Sequence, residues 1–234
     1  MPEDKAMFFT DRTEAGQRLA ERLVELRLTD PVVLALPRGG VPVAAEVARV
    51  LDAPLDLVIV RKLGLPGHDE LAAGALADAD PPVRVLNAAV LAQAGIDEAD
   101  LSPVIASETA ELARRRAAYL GARPRVPLAG RSAIVVDDGI ATGATMRAAL
   151  RAVRRAGPRL IVLAVPVAAP DALAKLAPEA DHVVCLAEPD PFVAVGLHYA
   201  NFGQTPDSAV IAALAQSPSP LSRPQPPGPE GRSD

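Results

Sequence analysis

Residues 133–153 run from an apolar strand-like segment to a helix through a loop that few folds can accommodate. Ala133-Ile134-Val135-Val136 is short, apolar and β-rich, and Asp137 and Asp138 stand at its carboxyl end. The loop Gly139-Ile140-Ala141-Thr142-Gly143-Ala144-Thr145 is built of small and hydroxyl-bearing residues, and Met146 to Val153 has helical spacing. A buried strand feeding directly into a helix is predicted. The glycines let the backbone approach a ligand closely, and the unpartnered N–H groups of a helix start can hold a phosphate. Thr142 and Thr145 add hydroxyl donors. Ionised carboxylates only accept hydrogen bonds, so Asp137 and Asp138 suit sugar hydroxyls or the water shell of Mg2+. The string reads as an anion cradle beside a diol site. It has no lysine of the G-x-x-x-x-G-K-[ST] kind, and G-x-G-x-x-G is absent.

The rest of the chain supplies the setting. Apolar runs at 32–36, 55–60, 133–136, 160–165 and 183–186 alternate with helical patterns at 11–28, 42–51, 146–153, 171–176 and 207–215. Further strands are expected at 72–77 and 83–86, and helices at 88–95 and 101–120. Such alternation predicts an α/β fold, a mostly parallel twisted sheet with helices on both faces. Ligands in these sheets lie beyond the carboxyl ends of the strands, where the three loops singled out here all fall. Only 3% of the residues are aromatic, so the core must be built from Ala, Val and Leu. Residues 216–234 are rich in Pro, Ser and Gly, and are expected to be a disordered tail after one domain spanning 1–215.

Two other loops carry charge. Pro37-Arg38-Gly39-Gly40 ends a strand and opens a helix, and reads either as a tight turn with a solvated arginine or as a backbone anion site with a forked cation. Arg61 and Lys62 begin a polar, Gly- and Pro-containing loop reaching Glu70, which suits a segment that closes over a site. His68 and Glu70 lie in it as candidate acid, base or acceptor contacts. Phe192, Tyr199 and Phe202 concentrate the scarce aromatic content, either as a packed flap or as a hood that sandwiches a flat acceptor. Cys185, the single cysteine, cannot form an internal disulfide and fits a reducing, cytoplasmic setting. The three histidines have no metal-ligand spacing. Net charge is −5, which points away from a general nucleic-acid surface, and no apolar run of membrane-spanning length is present.

The stretch Asp137-Asp138-Gly139-Ile140-Ala141-Thr142-Gly143-Ala144-Thr145 resembles the phosphoribosyl-pyrophosphate (PRPP) signature of the type I phosphoribosyltransferases. The resemblance covers about residues 30–165 and leaves a hood to 187–215, to 81–130, or to both. It implies that Asp137 and Asp138 hold the ribose hydroxyls and, through water, Mg2+. It implies that Gly139 to Thr145 receive the 5-phosphate, with the cup at Ala141 to Thr145. Arg38, Gly39, Gly40, Arg61 and Lys62 would contact pyrophosphate, and Arg38 and Lys62 would stabilise it as the leaving group. His68, Glu70, Phe192, Tyr199 and Phe202 are left as the candidate acceptor site. Ala141 stands where 6-oxopurine enzymes of the family carry an acid, so the resemblance disfavours that acceptor. The implied reaction moves the phosphoribosyl group of PRPP to a nitrogenous acceptor, with small-molecule partners, no nucleic acid and no membrane. Homodimers are common in the family.

Two other functions compete with an active transferase. One is a PRPP- or nucleotide-sensing regulator with the same fold, for which a DNA-binding helix-turn-helix or a basic face would be expected. The other is a hydrolase using the acids as nucleophile, which lacks a Ser-His or Cys-His partner and a G-x-S-x-G elbow.

Overall fold

The computed structural model describes residues 9–65, 68–79 and 81–217, the side chains of 68–72 excepted. In chain order the elements are α1 (Arg12–Val24), β1 (Pro31–Ala35), α2 (Gly40–Val50), β2 (Leu55–Leu57), β3 (Val60–Leu65), β4 (His68–Ala77), β5 (Val83–Leu86), α3 (Ala88–Ala94), α4 (Ser102–Leu120), β6 (Ser132–Val136), α5 (Ala144–Arg155), β7 (Leu160–Val167), α6 (Pro170–Leu176), β8 (His182–Ala187) and α7 (Asp207–Gln216). Five strands form a parallel sheet in the order β2-β1-β6-β7-β8, which puts β6 in the middle.

The period-2 geometry of a strand explains the layering. Val33, Ala35, Ile134, Val136, Val162 and Ala164 face one way, against α1, α2, α4 and α7. Val32, Leu34, Ala133, Val135, Ile161 and Leu163 face the other, against α5 and α6. Both faces are therefore apolar, and the α/β class expected from the sequence is the class observed. Polar groups stitch the edges. Asp56, buried on β2, accepts from Leu57 N–H and from Val126 N–H, each at 2.8 Å, which fastens the segment after α4 to the sheet edge. Asp11 caps α1 by accepting from the N–H groups of Thr13 and Glu14 at 2.9 Å.

Residues 61–65 and 68–70 of the expected loop are strand. The single strand expected at 55–60 divides into β2 and β3, and β3, β4 and β5 form a separate antiparallel sheet with register shifts around Gly64. Leu63 and Leu65 are buried in the alternating pattern of a strand, a signal that the surrounding charges and glycines obscured. Ala75, Ala77 and Val83 of this sheet pack on Ala148 and Ala152 of α5. Small residues on both sides allow that close contact. Segment 81–130 thus becomes β5, α3 and α4, layered over the small sheet. Several boundaries also move. Helix α1 ends at Val24, before the expected 28, and α2 begins at Gly40 and not at Pro42. Of the expected tail, Gln216 completes α7 and Ser217 Oγ accepts from Leu55 N–H at 2.7 Å; residues 218–234 lie outside the described residues.

Candidate functional site

Strand β6 stops at Val136, and residues 137–143 lead from it into α5. Ile140 is fixed to the end of β7: its N–H donates to Val167 O at 3.0 Å, and its carbonyl accepts from Ala169 N–H at 2.9 Å. Gly143 then takes φ +79°, a left-handed conformation that costs a side-chain-bearing residue about 1–2 kcal/mol. That turn aims the start of α5 outward. No side chain caps α5, and no acid occupies its first turn. Ala141, Thr142, Ala144 and Thr145 are exposed around the opening. The uncapped helix start offers backbone donors and the positive end of a helix dipole, with two exposed threonines in the same loop, which suits an anion.

The loop after β1 comes to the same place, as expected. Leu36 N–H donates to Val136 O at 2.9 Å. A Cβ on Gly39 would lie 2.2 Å from Asp138 Oδ2, and one on Gly40 would lie 2.8 Å from the Asp137 Cα. Only glycine permits this approach. The Pro37–Arg38 peptide bond is cis.

The two acids differ in their partners. Asp138 Oδ2 accepts from Arg12 Nε at 2.8 Å, with the two side chains only 13% and 11% exposed. The Arg12 guanidinium lies 3.9 Å from the centre of the Phe202 ring, and its Nη1 donates to Gly203 O at 2.7 Å. Tyr199 OH donates to the Asp138 carbonyl at 2.6 Å, and the Tyr199 ring packs between Phe9 and Phe202 at 5.4 and 5.2 Å. Asp137 Oδ1 accepts from the N–H of Asp138 at 2.9 Å. Loss of water, and next the neighbouring Asp138 charge, raise Asp137 well above the usual carboxylate range. Loss of water also raises Asp138, while Arg12 pulls it back. Burial, and then the Asp138 charge, raise the Tyr199 phenol, which keeps it a donor.

The remaining sequence candidates are distributed as follows. Arg38 Nη1 lies 3.6 Å from Asp207 Oδ1, at a cavity it shares with α4 and the start of α7. Arg61 Nε donates to Glu108 Oε2 on α4 at 2.6 Å, and exposed Lys62 lines the same cleft of about 570 Å3. His68 and Glu70 begin β4, and their side chains lie outside the described residues. Phe192 stacks on His198 at 5.4 Å, and the buried Tyr199 holds the Asp138 loop. Cys185 is half-buried, and desolvation pushes its thiol up to about 12, which favours the protonated form at neutral pH. Among the described residues no group of three or more His, Cys, Asp or Glu is arranged to hold a metal, and no helix is long and apolar enough to cross a membrane. A cavity of about 510 Å3 lies under Asp56, Asp78 and the far end of α5, away from the cup.

Arg12, bonded to one of the candidate acids, is a residue that sequence reasoning missed. It lies 126 positions from Asp138, in the first turn of a helix that reads as an ordinary surface helix. Only the fold brings the two together.

Residues 10–200 match the family described as "Phosphoribosyl transferase domain". Two curated relatives from strains of Mycobacterium tuberculosis, each named "Putative phosphoribosyl transferase", are 50% identical over 206 residues; that is 88% of this chain and 46% of theirs. The chain therefore spans about half the length of the curated relatives it matches. The crystal structure of TT1426 from Thermus thermophilus is 45% identical, with a TM-score of 0.79 over 90% of this chain and 99% of that one. The fold, the cup after β6 and these matches agree: the chain belongs to the phosphoribosyl transferase domain family.

Proposed function

We propose that this chain transfers the 5-phosphoribosyl group of PRPP to a nitrogenous, nucleobase-like acceptor and releases pyrophosphate. One observation carries the reading: an uncapped, acid-free helix start sits directly after two carboxylates, so a phosphate and a diol can be held at once. The amides and hydroxyls of Gly139 to Thr145 would bind the 5-phosphate, and Asp137 and Asp138 would accept from the ribose hydroxyls. Arg38, with the backbone of Gly39 and Gly40, would hold pyrophosphate, and Arg38 and Lys62 would stabilise the charge that develops as it leaves. Arg61 would join them only by giving up Glu108.

Mg2+ suits the donor set as an outer-sphere partner, because two buried carboxyl groups, one already bonded to Arg12, offer few direct ligands. When bound it would offset the pyrophosphate charge.

The experiment has two readouts. Saturating PRPP with Mg2+ is expected to raise the melting temperature by mass action, and Asp137→Asn with Asp138→Asn to remove that gain in a folded protein. Pyrophosphate release is then measured across bases and amines. No change in melting temperature with PRPP sinks the reading. Binding without release for any acceptor supports a second reading, a non-catalytic PRPP- or nucleotide-binding regulator. The Arg12–Asp138 pair favours that alternative, because it occupies a carboxylate the chemistry would use.

A further inference from the structure

Three arginines from two separate parts of the chain meet at one small cavity outside the cup. Arg38 comes from the loop after β1, and Arg114 and Arg115 from the second half of α4. Ala118, Tyr119 and Asp207 complete a lining around about 190 Å3. Little of it is apolar: Ala118 is small, and Tyr119 is 8% exposed, so a flat base finds no stacking face.

The charges in the cavity do not cancel. Glu111 accepts from Arg114 Nε at 2.6 Å, from Arg114 Nη2 at 2.9 Å and from Arg115 Nε at 2.9 Å; these bonds pull its carboxyl down to about 2. Tyr119 OH donates to Asp207 Oδ1 at 2.9 Å, and Arg38 Nη1 is 3.6 Å from that oxygen, too far for a hydrogen bond. Among the described residues, both terminal nitrogens of Arg115, Nη1 of Arg114 and all the nitrogens of Arg38 donate to no acceptor. Three fixed cations face two carboxylates, Glu111 and Asp207. Forked donors left open around a net positive cavity match a tetrahedral oxyanion.

We infer that this cavity binds a doubly charged phosphoryl group, either as free phosphate or as the monoester end of the acceptor. It is separate from the cup, which follows β6, and it shares Arg38 with the pyrophosphate contact proposed above. Anion binding here does not require the proposed transfer. The acceptor arm rests on that reading.

The test is calorimetric titration with inorganic phosphate while ribose 5-phosphate saturates the cup. It compares the wild type, Arg114→Gln with Arg115→Gln, and the distant exposed control Arg22→Gln. Phosphate affinity is expected to fall at least tenfold in the double variant and to stay within twofold in the control, with melting temperatures unchanged. Ribose 5-phosphate affinity, measured alone, is expected to stay within twofold in all three. Should ribose 5-phosphate not bind, the proposed function fails, and the phosphate titration without it still decides this site. An equal phosphate affinity in wild type and double variant overturns the inference, whatever the sugar phosphate does. A parallel titration with phosphoethanolamine assigns the source: tighter binding of the monoester marks a phosphorylated acceptor, and tighter binding of free phosphate marks a regulatory anion.

Discussion

The phosphate cup and the acid pair are adjacent in sequence and opposite in condition. From Ala141 to Thr145 the backbone is exposed and its helix start uncapped, so an anion can enter without displacing any side chain. Three residues earlier, Asp138 is nearly buried, bonded to Arg12 and held through its carbonyl by Tyr199. On the proposed reading, one half of the site is open to a ligand and the other half is already bonded within the protein. The difference suggests an order of events: a sugar phosphate docks by its phosphate first, and the diol engages as Asp138 shares or exchanges its partner.

The largest effect is expected from closing the ready half. Gly143→Val forces a β-branched residue into the left-handed region against Leu176, and is expected to abolish ribose 5-phosphate binding in a calorimetric titration. Retained affinity would mean that the cup is not where the phosphate goes. Next comes the occupied half. Arg12→Met leaves a desolvated carboxylate without its cation and is expected to cost about 3 kcal/mol in denaturant unfolding, the low end for breaking a buried pair. If Asp138 is locked rather than positioned, the same variant binds ribose more tightly at equal phosphate affinity. If Arg12 positions it, binding weakens.

The acids also predict a pH dependence with a definite sign. Asp137 has a folded pKa raised above its unfolded value, so the stability tied to its protonated form is full below the unfolded pKa and is lost as pH rises through the folded one. Asp137→Asn is therefore expected to melt higher than wild type at pH 8, with the gap closing as pH falls from the raised folded value toward the normal carboxylate range. A gap that widens toward acid would contradict the burial argument. The smallest effect is expected at Arg61: with both partners a fifth to a quarter exposed, Arg61→Gln should cost under about 1 kcal/mol.

Legibility in the sequence followed the same divide. The parallel sheet was readable because β1, β6 and β7 are continuous apolar runs buried on both faces, and the cup because its chemistry lies within eleven consecutive residues. The small antiparallel sheet was not, since β3 carries Arg61, Lys62 and Gly64 where strand residues are expected and pairs irregularly with β4. Neither was the Arg12–Asp138 pair, nor the meeting of Arg38 with α4 and α7: each joins segments far apart in the chain, and no local pattern encodes them. The aromatic cluster was visible, but its work was not. Tyr199 and Phe202 brace Arg12 and the Asp138 loop.

The central claim is that main-chain amides from Ala141 to Thr145 grip a sugar-linked phosphate beside the two aspartates. Amide chemical-shift mapping on labelled protein titrated with ribose 5-phosphate tests it directly. The predicted result is early, saturable shifts confined to residues 139–146, followed by Asp137, Asp138 and the Arg12 side chain. Saturable shifts elsewhere, with 139–146 unmoved, would contradict it.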